Sequence, residues 1–261
     1  MNSRDYKTVR RNELLDRYQN KKLVTTKKNN SNSNMYQYDE TTIKNKLYYD
    51  IIIIIPSKDR YDYLINILND LISQSTKYTF KIIVLNDASI DGRYKNIPEL
   101  YNNITYLENI ENFGKHLYWK SINKLFFEAS KYSFRFLLQI DDDFKLCNNF
   151  LDRLIIDYTN AKNKNNKIIC LDYRIMNDWD ELRWGCGKSW IDGCGLYEHE
   201  FIRQIKFKID PINKLRWRMN KDISSGVWQQ ISKKINLLGY IVYKNNKRLV
   251  EHIKCETQMQ K

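Results

Sequence analysis

The sequence predicts an α/β fold, a mostly parallel sheet flanked by helices, with a polar N-terminal extension. Three observations lead there. Five consecutive isoleucines, Ile51–Ile55, run into Pro56, and an unbroken β-branched run is what a strand covered on both faces requires. Runs of this kind alternate with amphipathic segments of helical period, the pattern of parallel strands joined by crossover helices. Polar clusters then follow the strands: PSKDR (56–60), NDAS (86–89) and DDD (141–143). Open α/β sheets bind ligands beyond the carboxyl ends of their strands, so these clusters are expected to share one crevice.

The elements follow in order. Residues 1–47 hold eleven Lys/Arg against five Asp/Glu. RRNELLDRYQ reads as a short helix and KKNNSNSN (27–34) as a flexible joint. Order begins at YYDIIIIIP. YDYLINILNDLISQS places Leu64, Ile67, Leu68, Leu71 and Ile72 on one helical stripe. KIIVLNDASIDG is a strand entering a polar loop, KHLYWKSINKLFFEA a helix, FRFLLQI a buried strand and FLDRLIIDYTNA a helix. KIICLDYRI is a further strand, and DWDELRWGCGKSWIDGCGLY is rich in Trp and Gly. SSGVWQQISKKINLLG forms a helix with Val227, Trp228, Ile231, Ile235 and Leu238 inward, and YIVYKNN a late strand. The expected organisation is an extension (1–47), one folded domain (48–253) divided near residue 145, and a tail (254–261).

Composition narrows the class. At 42% hydrophobic residues, with 8 Gly and 3 Pro in 261 residues, the chain can bury a core and is neither fibrous nor disordered throughout. The net charge of +13 favours anionic partners: phosphates, an acidic membrane surface or nucleic acid. A solvated basic exterior accounts for the same charge. Five cysteines without a C-x-x-C point to reduced thiols, and Cys186, Cys194 and His199 fit no common zinc-finger spacing. No apolar run reaches the roughly 20 residues of a membrane span. A cytoplasmic protein, soluble or peripheral to a membrane surface, is expected.

The stretch LLQIDDDFKL carries the chemical signal. At about 5 Å and an effective dielectric of about 20, each pair among Asp141, Asp142 and Asp143 repels by roughly 3 kcal/mol. A divalent cation among them offsets that repulsion; a solvated acidic turn capping the next helix avoids it.

In this order the motifs resemble those of GT-A glycosyltransferases, most closely glycosyltransferase family 2, over roughly residues 48–253. The family's Pro-Thr-Tyr-Asn-Arg-like run is matched by Pro56, Ser57, Lys58, Asp59 and Arg60. Its Asp-Asp-Gly-Ser-x-Asp loop is matched by Asn86, Asp87, Ala88, Ser89 and Asp91. Asn112-Phe113-Gly114 matches its Asn-x-Gly, and Asp141-Asp142-Asp143 its DxD. WIDGCG, Lys221-Asp222, Gly239-Tyr240 and His252 follow in the family's order. The departures are Lys58 where the family often has an aromatic, Lys221 in place of a carboxylate, and Tyr118 and Lys120 after the Asn-x-Gly.

The resemblance implies a GT-A domain with a nucleotide-sugar-binding half (48–145) and an acceptor-binding half (146–253). It implies an inverting, metal-dependent transfer of a single sugar from a nucleotide-sugar, a UDP-sugar being favoured, to a hydroxyl of a glycan or protein. Donor contacts fall on Pro56, Ser57, Arg60, Asp87, Asn112, Gly114, Lys115, Asp141 and Asp142. Mn²⁺ or Mg²⁺ is assigned to Asp141, Asp143 and His252. Asp222 takes the role of catalytic base, with Asp192 in WIDGCG as its rival. The Gln-x-x-Arg-Trp signature of processive membrane synthases is missing. A nucleotidyltransferase of related fold is the alternative enzyme, although IIIIIPSKDR lacks the glycines of its phosphate loop. A basic nucleic-acid-binding protein is the non-enzymatic alternative.

Overall fold

Strand β1 (Tyr48–Ser57) holds the isoleucine run, and Ile51–Ile55 are all fully buried. Burying each contributes about 2 kcal/mol relative to exposure. The computed structural model describes residues 46–173, 191, 194–211, 226–245 and 247–253, apart from the side chain of Lys115. All of these lie in the second of two units, Tyr38–Lys261.

Alternation along β1 serves two cores, because successive side chains point to opposite faces. Ile51, Ile53 and Ile55 pack with helix α1 (Tyr61–Ile72) and helix α4 (Phe150–Lys164). Ile52 and Ile54 pack with helix α3 (Gly114–Ala129), helix α6 (Val227–Leu237) and the short helix α5 (His199–Gln204). A further short helix, α2, spans Ile97–Leu100.

The main sheet has seven strands in the order β3-β2-β1-β4-β7-β6-β8. These are β2 (Phe80–Asn86), β3 (Ile104–Glu108), β4 (Ser133–Gln139), β6 (Ile168–Asp172), β7 (Gly195–Glu198) and β8 (Ile241–Lys244). Only β7 runs against the others, between β4 and β6. A two-stranded sheet pairs β5 (Phe144–Leu146) with β9 (Val250–His252) in antiparallel register.

The expected strands and helices within the described residues all form. Two inward assignments do not hold. Ile72 is 50% exposed and Leu238 is 46% exposed. Ile72 ends α1, and Leu238 is the residue that caps α6, where the helix leaves the surface it packs on. The short strands β3, β5, β7 and β9 give no usable period in the sequence and were not expected.

His199 opens α5 with its ring edge-on to Phe134 (4.7 Å between ring centres) and tilted against Phe207 (6.0 Å). Burial lowers its pKa below the ordinary 6.5. The folded protein therefore keeps the ring neutral while the unfolded chain takes up a proton. The stability this gives is present above the unfolded value and is lost as pH falls through the folded one. Thermal unfolding followed from about pH 7.5 down to about pH 5 should show a steeper loss for the natural chain than for His199→Phe. Parallel curves would remove His199 from the acid response.

Candidate active site

The central parallel strands end at one level. Ser57 closes β1 opposite Asn86 of β2, which lies opposite Glu108 of β3. Gln139 of β4 pairs with Ile54, and the backbone N–H of Ile140 still donates to the Ile54 carbonyl (3.2 Å). The chain then leaves the sheet into the acidic triplet, so the triplet stands directly beyond β1.

Ser57 is buried, and its hydroxyl donates to Asp142 Oδ2 (2.6 Å). The Ser57 hydroxyl oxygen lies 2.7 Å from the phenol of Tyr94, which also accepts from the Arg60 backbone N–H (3.0 Å). Arg60 occupies the N-cap position of α1. Its Nη1 donates both to Asp142 Oδ1 (3.0 Å) and to Asp143 Oδ2 (2.8 Å). With only 14% of its side chain exposed, Arg60 faces the carboxylates rather than solvent.

His252 reaches the same place through the small sheet. Phe144 pairs with His252, and the Ile253 N–H donates to the Asp143 carbonyl (2.8 Å), fixing β9 beside the triplet. The imidazole Nε2 lies 3.3 Å from Asp143 Oδ2 and the ring stands edge-on to Phe144. Asp143 Oδ2 is thus where the first loop and the late histidine meet.

The three aspartates are not equivalent. Burial, reinforced by the charge of Asp143, pushes the Asp142 carboxyl up to about 7, while Arg60 and Ser57 pull it down. Asp141 also reaches β7, its Oδ2 accepting from the Cys194 thiol (3.4 Å) at the entrance to that strand. The sequence assigned Asp141 to the ion together with Asp143 and His252, and its Cys194 contact ties that end of the triplet to β7.

Asp87 follows β2. Its N–H donates to the Ser57 carbonyl (2.9 Å). Its Oδ1 accepts from Asn109 Nδ2 (2.6 Å) and from the Ser121 hydroxyl (3.3 Å). Both anchors hold the same oxygen of a carboxylate that is 8% exposed. The first two loops are laced together as well: Asp59 N–H donates to Ser89 Oγ (2.8 Å), and Ile90 N–H to Asp59 Oδ1 (2.8 Å). Asp59 and Ala88 sit in the left-handed region (φ 52° and 54°), at a cost of about 1 kcal/mol each.

Asn112 makes the turn into α3, its Oδ1 accepting from the Gly114 N–H (2.7 Å). Gly114 at φ 61° takes a backbone conformation that a side chain would strain. Pro56 is half-buried one residue before Ser57, and the backbone of Lys115 lies in the first turn of α3. Lys58 pairs with Asp59 (3.1 Å), and the Lys120 amine lies over the Phe113 ring. Tyr118, a departure from the family pattern, is a core residue edge-on to Trp228. Burial raises its phenol pKa far above the usual value. Asp222, Asp192, Trp184 and Trp190 lie outside the described residues.

Three positioning residues escaped the sequence reading. Tyr94 comes from the 3-10 turn Gly92–Asn96, and nothing in GRYKN marks it as buried. Asn109 lies just past β3, which was itself not expected. Ser121 had a signal: it falls three residues after Tyr118 on the buried stripe of α3, where a polar residue needs a partner.

Asp143 and His252 offer a hard oxygen and an imidazole nitrogen, donors that Mn²⁺ accepts. Among the described residues no three Asp, Glu, His or Cys side chains gather around one point. That set fits an ion whose remaining positions are filled by substrate phosphates and water, as such ions ordinarily are. No described helix is long and apolar enough to cross a membrane.

A model of the family "Glycosyl transferase family 2" matches residues 52–177, which include β1 from Ile52 onward, the Asp87 loop and the acidic triplet. No curated protein matches the chain in sequence. Solved structures that share its fold include the following two. The mannosyltransferase PcManGT from Pyrobaculum calidifontis, in complex with GDP-Man and Mn²⁺, superposes with a TM-score of 0.55 at 13% identity, over 93% of this chain and 65% of that one. S. aureus TarS 1-349, in complex with UDP-GlcNAc, superposes with a TM-score of 0.55 at 16% identity, over 81% of this chain and 60% of that one. The chain thus spans less than two thirds of either neighbour, and at these identities the likeness is one of fold. The family match, over just under half of the chain, is placed on the strands that build the crevice, and the fold is that of the GT-A glycosyltransferases with a family 2-like core.

Proposed function

We propose that this protein is an inverting, metal-dependent glycosyltransferase that moves one sugar from a nucleotide-sugar to an acceptor hydroxyl. The observation that carries the reading is the meeting of Ser57, Arg60, Asp142, Asp143 and His252 beyond the sheet, beside the anchored Asp87. GDP-Man with Mn²⁺ in one fold neighbour and UDP-GlcNAc in another support a nucleotide-sugar donor and a divalent ion. A nucleoside diphosphate carrying a sugar fits both halves of this crevice.

Asp87 accepts a hydrogen bond from the nucleoside, held in place by Asn109 and Ser121. Asp141, Asp143 and His252 would hold Mn²⁺ or Mg²⁺, which when bound would supply positive charge to the departing diphosphate. Arg60 provides a fixed cation beside it. A carboxylate, assigned to Asp222 with Asp192 as the rival, takes the proton of the acceptor hydroxyl. The hydroxyl oxygen bonds to the anomeric carbon from the face opposite the leaving group. The bond from that carbon to the diphosphate breaks, and its electron pair leaves with the phosphate. The acceptor is a glycan or protein hydroxyl, and transfer is of single sugars.

A panel of nucleotide-sugars assayed with and without Mn²⁺ tests the reading. Release of nucleoside diphosphate is expected from one or two donors and is lost on chelation. No release from any donor, with steeply salt-dependent retention on DNA or RNA, would replace it by the nucleic-acid-binding reading.

A further inference from the structure

The carboxylate pair already holds a cation of the protein's own. Arg60 Nη1 lies between Asp142 Oδ1 and Asp143 Oδ2 at 3.0 and 2.8 Å. It therefore contacts the oxygen of Asp143 that also faces His252 Nε2. An ion bound to that oxygen and a guanidinium hydrogen-bonded to it are like charges competing for one acceptor. The competition takes place where water screens poorly: 4% of the Asp142 side chain is exposed, 9% of Asp143 and 14% of Arg60. Tyr94 and Ser57 brace the arrangement from behind, through the Arg60 N–H and Asp142 Oδ2.

We propose that Arg60 is the resident counter-cation of Asp142 and Asp143 and yields Asp143 only to an ion that arrives with a diphosphate. This rests on the proposed function and adds a positioning residue to it. The ion alone must displace or crowd Arg60 with nothing to receive the freed charge. A diphosphate brings acceptor oxygens matched to a guanidinium fork, so that Arg60 exchanges one anionic partner for another. Donor and metal then bind as a coupled pair, each raising the affinity for the other by the same factor. An ion-free protein keeps its carboxylates neutralised in the meantime.

Protein-bound Mn²⁺, measured by equilibrium dialysis, tests this on the full chain with and without UDP or GDP. For the natural chain, a diphosphate should tighten Mn²⁺ binding by about ten- to a hundredfold. In Arg60→Met, Mn²⁺ alone should bind about tenfold tighter than to the natural chain, and the enhancement by diphosphate should shrink. Arg60→Lys keeps a charge but its shorter side chain holds the amine less closely between the two carboxylates and offers a diphosphate no planar fork, so it should move in the same direction by less. It carries the test should Arg60→Met fail to fold. Mn²⁺ binding to the Arg60 variants no tighter than to the natural chain, with diphosphate-dependent binding still lost in Asp143→Asn, would overturn the role of Arg60 and leave the metal site standing. Absence of diphosphate-dependent Mn²⁺ binding, or its survival in Asp143→Asn, would overturn the metal site itself.

Discussion

Replacing Asp143 with alanine is expected to lower metal-dependent release of nucleoside diphosphate by about 10³-fold, the scale of losing a principal charge-stabilising group. The side chain is a carboxylate reached by both the first loop and the late histidine. Its backbone carbonyl, not its carboxylate, ties β9 in place through Ile253 N–H (2.8 Å). The substitution therefore removes the ion's anchor and leaves the small sheet paired. Arg60 keeps Asp142 as partner, and a repulsion between neighbouring carboxylates disappears. Thermal stability without metal should stay level or rise while activity collapses, a combination that loss of folding cannot produce. His252→Ala should cost less, because the imidazole is 56% exposed and its position is also open to water. Turnover of Asp143→Ala equal to the natural chain would move the ion elsewhere.

What the sequence made legible follows from how many signals each element carries. The isoleucine run, the α1 stripe and the three polar loops are long or repeated, and the structure places all of them as read. β7 was illegible because its four residues, Gly-Leu-Tyr-Glu, combine a glycine and a charge although the strand lies inside the sheet. The sheet supplies what the strand lacks: neighbours on both edges and two covered faces. His252 was picked out by its order in the chain alone, and the pairing of Phe144 with His252 is what carries it to Asp143. No local feature of RLVEHI specifies that register. Arg60 read equally well as a surface residue at a helix start. Its role is set by Asp142 and Asp143, more than eighty positions away. Sequence patterns report the periodic part of a fold, whereas the site consists of single contacts between distant loops.

Asp87→Ala should leave the fold intact and weaken donor binding by about a hundredfold, equivalent to about 3 kcal/mol for a hydrogen bond to a charged group. The carboxylate is fixed at three points: its N–H on the Ser57 carbonyl, and Oδ1 on Asn109 and Ser121. Because Asn109 and Ser121 both occupy Oδ1, Oδ2 is the oxygen left to meet a ribose hydroxyl or base N–H. Alanine removes that acceptor and also strips Asn109 Nδ2 of its 2.6 Å partner inside a buried pocket. The amide keeps Ser121 Oγ (3.1 Å) as one acceptor, so the lost partner of its other N–H costs about 1 kcal/mol of stability and a modest fall in thermal midpoint accompanies the loss of binding. Asp87→Asn separates the two effects. Its amide oxygen can still accept from Asn109 while its NH₂ replaces the outward acceptor with a donor. Stability should be largely restored and donor affinity should not. Calorimetric titration of the hydrolysed donor's nucleoside diphosphate reads this directly, with Asp143 intact and Mn²⁺ saturating. Recovery of affinity in Asp87→Asn would mean that the residue acts only as a brace between β2 and α3, and that the nucleoside is read by another group.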